Sequence, residues 1–199
     1  DFEALLLSLP HLFNTSLETI PGSVRYLYAN RGLVKIWDER LNNKNFKIGI
    51  CWTGGPSSKS RSFPLSAFKN IAQIPGVELI SLYKGEDEEQ INNIDFDLTT
   101  LGPDCDSGQD AFVNTAAVMM SCDLIITSDT AMPPLAGALG CRTWLLLKSN
   151  PHWPWMLNRT DSPLNPTMTL YRQKKLGDWT GVFKMIEQNL RLILLQKGY

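Results

Sequence analysis

Long hydrophobic runs are missing from this sequence. No stretch of its 199 residues approaches the roughly 20 apolar residues that cross a bilayer as a helix. No signal-peptide pattern is visible at its start, so the two N-x-S/T triplets at Asn14 and Asn158 are read as chance. An excess of one charge is also missing: 19 basic residues face 20 acidic ones, for a net charge of −1. That balance argues against nucleic acid or an anionic membrane as partner, so any anion site has to be built locally from a few placed groups. Histidine is scarce. His11 and His152 stand far apart and suggest no zinc site. The four cysteines, Cys51, Cys105, Cys122 and Cys141, form no C-x-x-C pair. Three of them sit in or beside apolar runs, where a free thiol acts as a small hydrophobe. This usage favours a reducing, cytoplasmic setting over a disulfide framework. No G-x-G-x-x-G, no G-x-x-x-x-G-K-[ST] and no triad-like arrangement of nucleophile and base occurs.

What is present is an ordinary globular balance, 43% hydrophobic and 20% charged, at a length suited to one domain. Residues 1–45 read as a linker or strap with one short helix, broken by Pro10, Pro21 and Gly22, with the helix expected over Leu33 to Leu41. The chain opens on Asp1, already in an apolar stretch, which suggests a piece of a longer protein or a processed chain. From residue 46 onward apolar runs alternate with helical stripes. Strands are expected at Phe46–Trp52, Val77–Leu82, Leu124–Thr127, Thr143–Leu147 and Met168–Tyr171. Helices are expected over Leu65–Ala72, over Ala111–Met120 with Asp110 as cap, over Ala131–Leu139 stopped by Gly140, and over Trp179–Gln196. Residues 86–109 read as acidic loop with at most one short strand. The alternation is that of an α/β domain, an open parallel sheet with helices on both faces. Ligands of such sheets bind at the carboxyl ends of the strands. Trp52, Leu82, Ser128 and Leu147 are therefore expected on one rim, together with the loops that follow them.

Those loops hold the candidates. Ser128-Asp129-Thr130-Ala131 stands where a strand hands over to a helix. A helix start offers unpaired N–H groups to an anion, and the same residues equally fit a simple cap. Asp129 beside a diphosphate would repel it, so its carboxylate is expected to accept N–H groups or orient neighbours. Thr53-Gly54-Gly55 precedes Lys59 and Arg61. Paired glycines let backbone approach a ligand, and a guanidinium makes a two-pronged contact with phosphate; an ordinary basic loop is the alternative. Lys84 follows the second strand at the same rim. The pairs Asp95/Asp97 and Asp104/Asp106 have D-x-D spacing, yet no strand sets their geometry, and no metal is expected.

Three segments together resemble glycosyltransferase family 9-like proteins, relatives of the heptosyltransferases that are often fused to tetratricopeptide repeats. Residues 48–65, IGICWTGGPSSKSRSFPL, are similar to the strand and basic loop opening that family's C-terminal domain. Residues 123–140, DLIITSDTAMPPLAGALG, resemble its donor-binding strand, turn and helix, and residues 152–179 its C-terminal signature. Leu6 to Pro10 resembles the stretch joining the family's two domains. The resemblance implies a Rossmann-like fold over residues 46–199, the C-terminal half of a two-domain GT-B architecture. It implies inverting transfer from a nucleotide-diphosphate sugar without a cofactor or metal. It further implies donor contacts from Thr53, Gly54, Gly55, Arg61, Ser62, Lys84, Ser128, Asp129, Thr130 and Ala131. The family's catalytic carboxylate lies in an N-terminal domain that this chain lacks, so no catalytic residue is expected here. Where that family often has a histidine near the diphosphate, this chain has Pro134. A catalytically inactive nucleotide- or sugar-binding module is thus one alternative. The other is an interaction domain presenting Trp153 and Trp155.

Overall fold

Five apolar runs become strands in the computed structural model, which describes residues 3–22, 24–54, 56–108 and 111–198. They are β1 (Phe46–Cys51), β2 (Val77–Ser81), β3 (Leu124–Ser128), β4 (Thr143–Leu147) and β5 (Met168–Arg172). They pair in the order β2-β1-β3-β4-β5, and every pairing is parallel. The helices are α1 (Leu9–Leu12), α2 (Arg31–Arg40), α3 (Lys69–Ala72), α4 (Val113–Met120), α5 (Met132–Leu139) and α6 (Thr180–Lys197).

A strand covered on both faces has no solvent side, which is why these strands are near-continuous apolar runs rather than alternating ones. On β1, Phe46, Ile48 and Ile50 enter one core and Cys51 the other. Gly49 falls on the second side. A Cβ there would come within 2.8 Å of Leu82 Cδ1 and 2.9 Å of Ile125 Cδ1, so bare backbone is what lets the flanking side chains close over the central strand. The first core is covered by α6, which sends in Val182, Phe183, Ile186, Leu190 and Leu194, and by the segment carrying Leu65, Phe68 and Ile71. Phe183 meets Phe63 and Phe68 edge to face, at centroid distances of 5.3 and 5.1 Å. The second core takes Trp37 from α2, Ala116 to Met119 from α4, and Ala136 and Leu139 from α5. Each large side chain so buried contributes roughly 1.5–3 kcal/mol. Helices therefore lie on both faces of an all-parallel sheet, as the alternation of apolar runs implies.

Several local expectations shift. Residues 65–68 form a 3-10 turn, and α-helix follows only over Lys69–Ala72. The basic loop after β1 winds into a 3-10 turn, Pro56–Arg61, and the acidic stretch begins with another, Glu86–Asn93. The short strand allowed for in that stretch is a single bridge between Thr99 and Ile80. The first long helix begins at Arg31 rather than Leu33, capped by the Asn30 side chain, which accepts from Gly32 N and Leu33 N. Gly140 closes α5 as expected, in the left-handed conformation at φ 73°. A strap packs on this end of α5. Tyr26 N and Leu27 N both donate to Ala138 O, and Arg25 Nε donates to Leu139 O. These donors satisfy carbonyls that the helix end leaves orphaned. No helix among the described residues is long and apolar enough to cross a membrane.

Candidate functional site

After β1 the chain moves outward to β2, then returns past β1 to place β3 on the other side. At that reversal the loops following β1 and β3 part in opposite directions and open a crevice at the strand ends. A cavity of about 590 Å³ lies there, within the range of small-molecule sites. Its lining includes Thr53 and Gly54 after β1, Arg61 from the basic turn, Lys84 after β2, and Thr130 and Ala131 after β3. Ser62, Ser128 and Asp129 lie outside that lining, and Gly55 falls outside the described residues, as does Asp110.

The loop after β1 is tied down from within. Ser62 Oγ donates to Thr53 Oγ1 at 3.0 Å, and Thr53 Oγ1 donates to Asp87 Oδ2 at 2.8 Å. Phe63 N returns to Trp52 O. Arg61 extends to the crevice, its guanidinium 3.8 Å from Asp129 Oδ2. Asp129 is buried, at 5% exposure. Its Oδ1 accepts the indole N–H of Trp155 at 2.8 Å, while Oδ2 has no hydrogen-bond partner among the described residues. The carboxylate thus joins two segments, the basic turn and the Pro/Trp loop after β4. Trp155 is correspondingly buried, not exposed as its loop setting suggests; only Trp153 of that pair faces solvent. Ser128 is fully buried, with its Oγ unpartnered among the described residues.

Lys84 is placed at the cavity but already engaged. Its ammonium donates to Pro103 O at 2.9 Å and Cys105 O at 2.5 Å, fixing the 102–106 loop. That loop carries Asp106, whose carboxylate accepts from Asn114 N at 2.6 Å and from Thr115 N at 2.9 Å. Asp106 therefore caps the start of α4 from eight residues away, completing what a local cap ordinarily does. Between them Phe112 takes a left-handed conformation, φ 68°, and lines the cavity. The other D-x-D pair is spent differently: Asp95 pairs with Lys69 at 2.5 Å on the surface, and that cation holds its carboxyl below the ordinary range. Among the described residues no three His, Cys, Asp or Glu side chains converge as a metal ligand set.

The start of α5 differs from an open anion site. Thr130 Oγ1 accepts from Met132 N at 3.4 Å, a long capping contact. Pro133 and Pro134 follow and have no N–H at all. Of the backbone N–H groups at this helix start only those of Ala131 and Met132 exist, and that of Met132 already donates to Thr130 Oγ1. The cavity wall also includes Cys51, whose thiol burial pushes up to about 11. It is protonated at neutral pH and no nucleophile there. Asp87, Asp106 and Trp155 were not singled out by sequence pattern as parts of this site; only the D-x-D spacing and the Pro/Trp loop hinted at the last two.

No family model matches the chain, and no curated protein matches it. Solved structures share its fold. An E. coli ADP-heptose LPS heptosyltransferase II aligns over 92% of this chain and 57% of its own, at 16% identity and a TM-score of 0.65. A glycosyl transferase family 9 protein from Veillonella parvula aligns over 89% and 56%, at 12% identity and a TM-score of 0.63. The E. coli heptosyltransferase WaaC with ADP aligns over 87% and 52%, at 12% identity and a TM-score of 0.56. The chain spans little more than half the length of each, and at these identities the likeness is one of fold.

Proposed function

We propose that this chain is the donor-binding half of a GT-B type glycosyltransferase, holding a nucleotide-diphosphate sugar for inverting, metal-independent transfer. The observation that carries the reading is the crevice at the strand-order reversal, where Arg61 and the turn at Thr130–Ala131 face one cavity from different strands. A guanidinium suits a diphosphate in charge and geometry, and the apolar wall of Leu82, Phe112 and Met132 suits a base. The resemblance of residues 48–65 and 123–140 to family 9 proteins points the same way, as does the fold shared with heptosyltransferases. In this reading the acceptor's base comes from an N-terminal domain, and this chain binds donor without efficient transfer. Calorimetry with uridine, guanosine, adenosine and cytidine diphosphates tests it, with and without chelator. Binding of at least one, unchanged by chelator, is the expected result. No binding of any, or binding only with a divalent ion, refutes the proposal as stated.

A second reading has an observation of its own. Pro133 and Pro134 remove two N–H groups from the helix start that would face the leaving diphosphate. Electrostatic stabilisation of a departing anion relies on such fixed donors. A module that binds nucleotide or sugar without turnover would tolerate their loss. Activity of the full-length protein that contains this chain separates the two.

A further inference from the structure

Trp155 touches the crevice carboxylate without entering the cavity. Its ring packs with Leu145, Leu147, Met168 and Leu170 in a third core built on β4 and β5. Its backbone is held as well: Trp155 N donates to His152 O at 3.2 Å, and the Arg172 guanidinium donates to Trp155 O. From that fixed position the indole N–H reaches Asp129 Oδ1 at 2.8 Å, while Trp155 itself lies outside the cavity lining. Arg61 stands on the other side of the same carboxylate. It ends the 3-10 turn Pro56–Arg61, lines the cavity, and keeps its side chain 32% exposed. A ring fixed in a core and a half-exposed cation thus share one buried acid.

A buried carboxylate is costly unless its oxygens are satisfied. Oδ1 of Asp129 is satisfied by the indole. Oδ2 accepts no hydrogen bond among the described residues, and Arg61 Nη1 stands 3.8 Å from it, beyond hydrogen-bond reach. The acid therefore attracts the guanidinium by charge, while Oδ2 takes no N–H from it. Removing the indole N–H makes Oδ1 a second buried orphan. The planar fork of Arg61 can satisfy both oxygens at once, because a guanidinium pairs with a carboxylate through two parallel N–H bonds. Arg61 then closes onto Asp129 and turns away from the cavity.

We propose that Trp155 is a positioning residue: by occupying Asp129 Oδ1 it keeps Arg61 directed at the cavity rather than closed onto the acid. The proposal rests on reading the crevice as a nucleotide-diphosphate site, and it lets the loop after β4 set the affinity of that site from outside it. Two NMR measurements on the isotope-labelled 199-residue chain test it. Without ligand, the Trp155 indole N–H resonance is expected to shift in Arg61→Ala and to stay in place in Lys59→Ala. With uridine, guanosine, adenosine and cytidine diphosphates as probes, Trp155→Phe keeps a buried ring but lacks the N–H. It is expected to weaken binding by roughly threefold to tenfold, the loss of one hydrogen bond. In an Arg61→Ala background the same change is expected to weaken binding no further. Equal weakening in both backgrounds marks Trp155 as plain core and overturns the proposal, as does wild-type affinity in Trp155→Phe. The resonance needs no change at Trp155, so it decides the matter where Trp155→Phe fails to fold. Wild type that binds none of the four diphosphates refutes the donor reading instead. The link is then judged by the resonance alone: a shift in Arg61→Ala upholds it, and an unmoved resonance overturns it.

Discussion

Arg61 and Lys59 are two cations two residues apart on one turn, and they separate direct contact from general attraction. Arg61 lines the cavity beside Asp129, whereas Lys59 is exposed and outside the lining. A hydrogen bond to a charged group contributes about 1.5–3 kcal/mol. Arg61→Ala is therefore expected to weaken nucleotide-diphosphate binding by roughly 10- to 100-fold. Lys59→Ala should act only through long-range attraction, which added salt screens. Equal losses in both variants, both abolished by salt, would remove Arg61 from the list of ligands. Pro134 supports a test of opposite sign. It is exposed, so Pro134→Ala removes little packing and restores a backbone N–H at the helix start. Binding should tighten by a few-fold while stability falls by about 0.4–1 kcal/mol, because the unfolded chain regains freedom. If calorimetry shows no gain in affinity, the start of α5 does not face the diphosphate.

α4 shows how one element is set from a distance. Asp106 supplies its cap and Phe112 bears the conformational cost of the junction. Asp106→Ala should cost about 1–2 kcal/mol in urea unfolding, in the range of lost caps. Phe112→Gly should instead leave stability unchanged or raise it by up to about 1 kcal/mol, since glycine adopts φ 68° without penalty. If the ring forms the wall that a ligand meets, the same variant binds nucleotide diphosphate more weakly. A fall in both stability and binding would mark the ring as plain core. The strands and α6 were legible in the sequence because burial on both faces demands unbroken apolar runs and a helix stripe shows its period. The rim that brings Thr53, Arg61 and Thr130 together followed from strand order. What escaped was nonlocal: Asp106 capping α4 across the Phe112 kink, Lys84 held by the carbonyls of Pro103 and Cys105, and Trp155 drawn under Asp129. Each depends on a partner whose position only the closed fold supplies. The 3-10 turn at residues 65–68 escaped for a smaller reason, since its apolar spacing fits one α-helical turn as well.

At the scale of the molecule, buried thiols give an alkaline limit. Burial pushes both Cys51 and Cys141 up to about 11. In the unfolded chain a thiol ionises near roughly 8.5. The folded-state value is the raised one, so the contribution is fully present below the unfolded value and is lost as pH rises through the folded one. The urea midpoint should hold steady from about pH 6 to 8 and fall between about pH 9 and 11. Cys51→Ala should flatten that fall relative to wild type, which controls for tyrosine and lysine ionisation. Identical alkaline slopes in the two proteins would show that the thiol stays protonated for other reasons.

The strand order also has a consequence in time. β1 forms the middle of the sheet, yet its two neighbours come from chain segments about 30 and about 75 residues later. The first pairing closes a short loop; the second must wait until β3 emerges and pay for a longer closure. The crevice lies between β1 and β3, at the strand pairing that closes the longest loop of the sheet. Hydrogen-exchange labelling during refolding should find amides at the β1–β2 pairing protected before those at the β1–β3 pairing. A ligand seated in the crevice clasps the two halves of the sheet across that pairing, and would slow its reopening more than any other local opening of the chain.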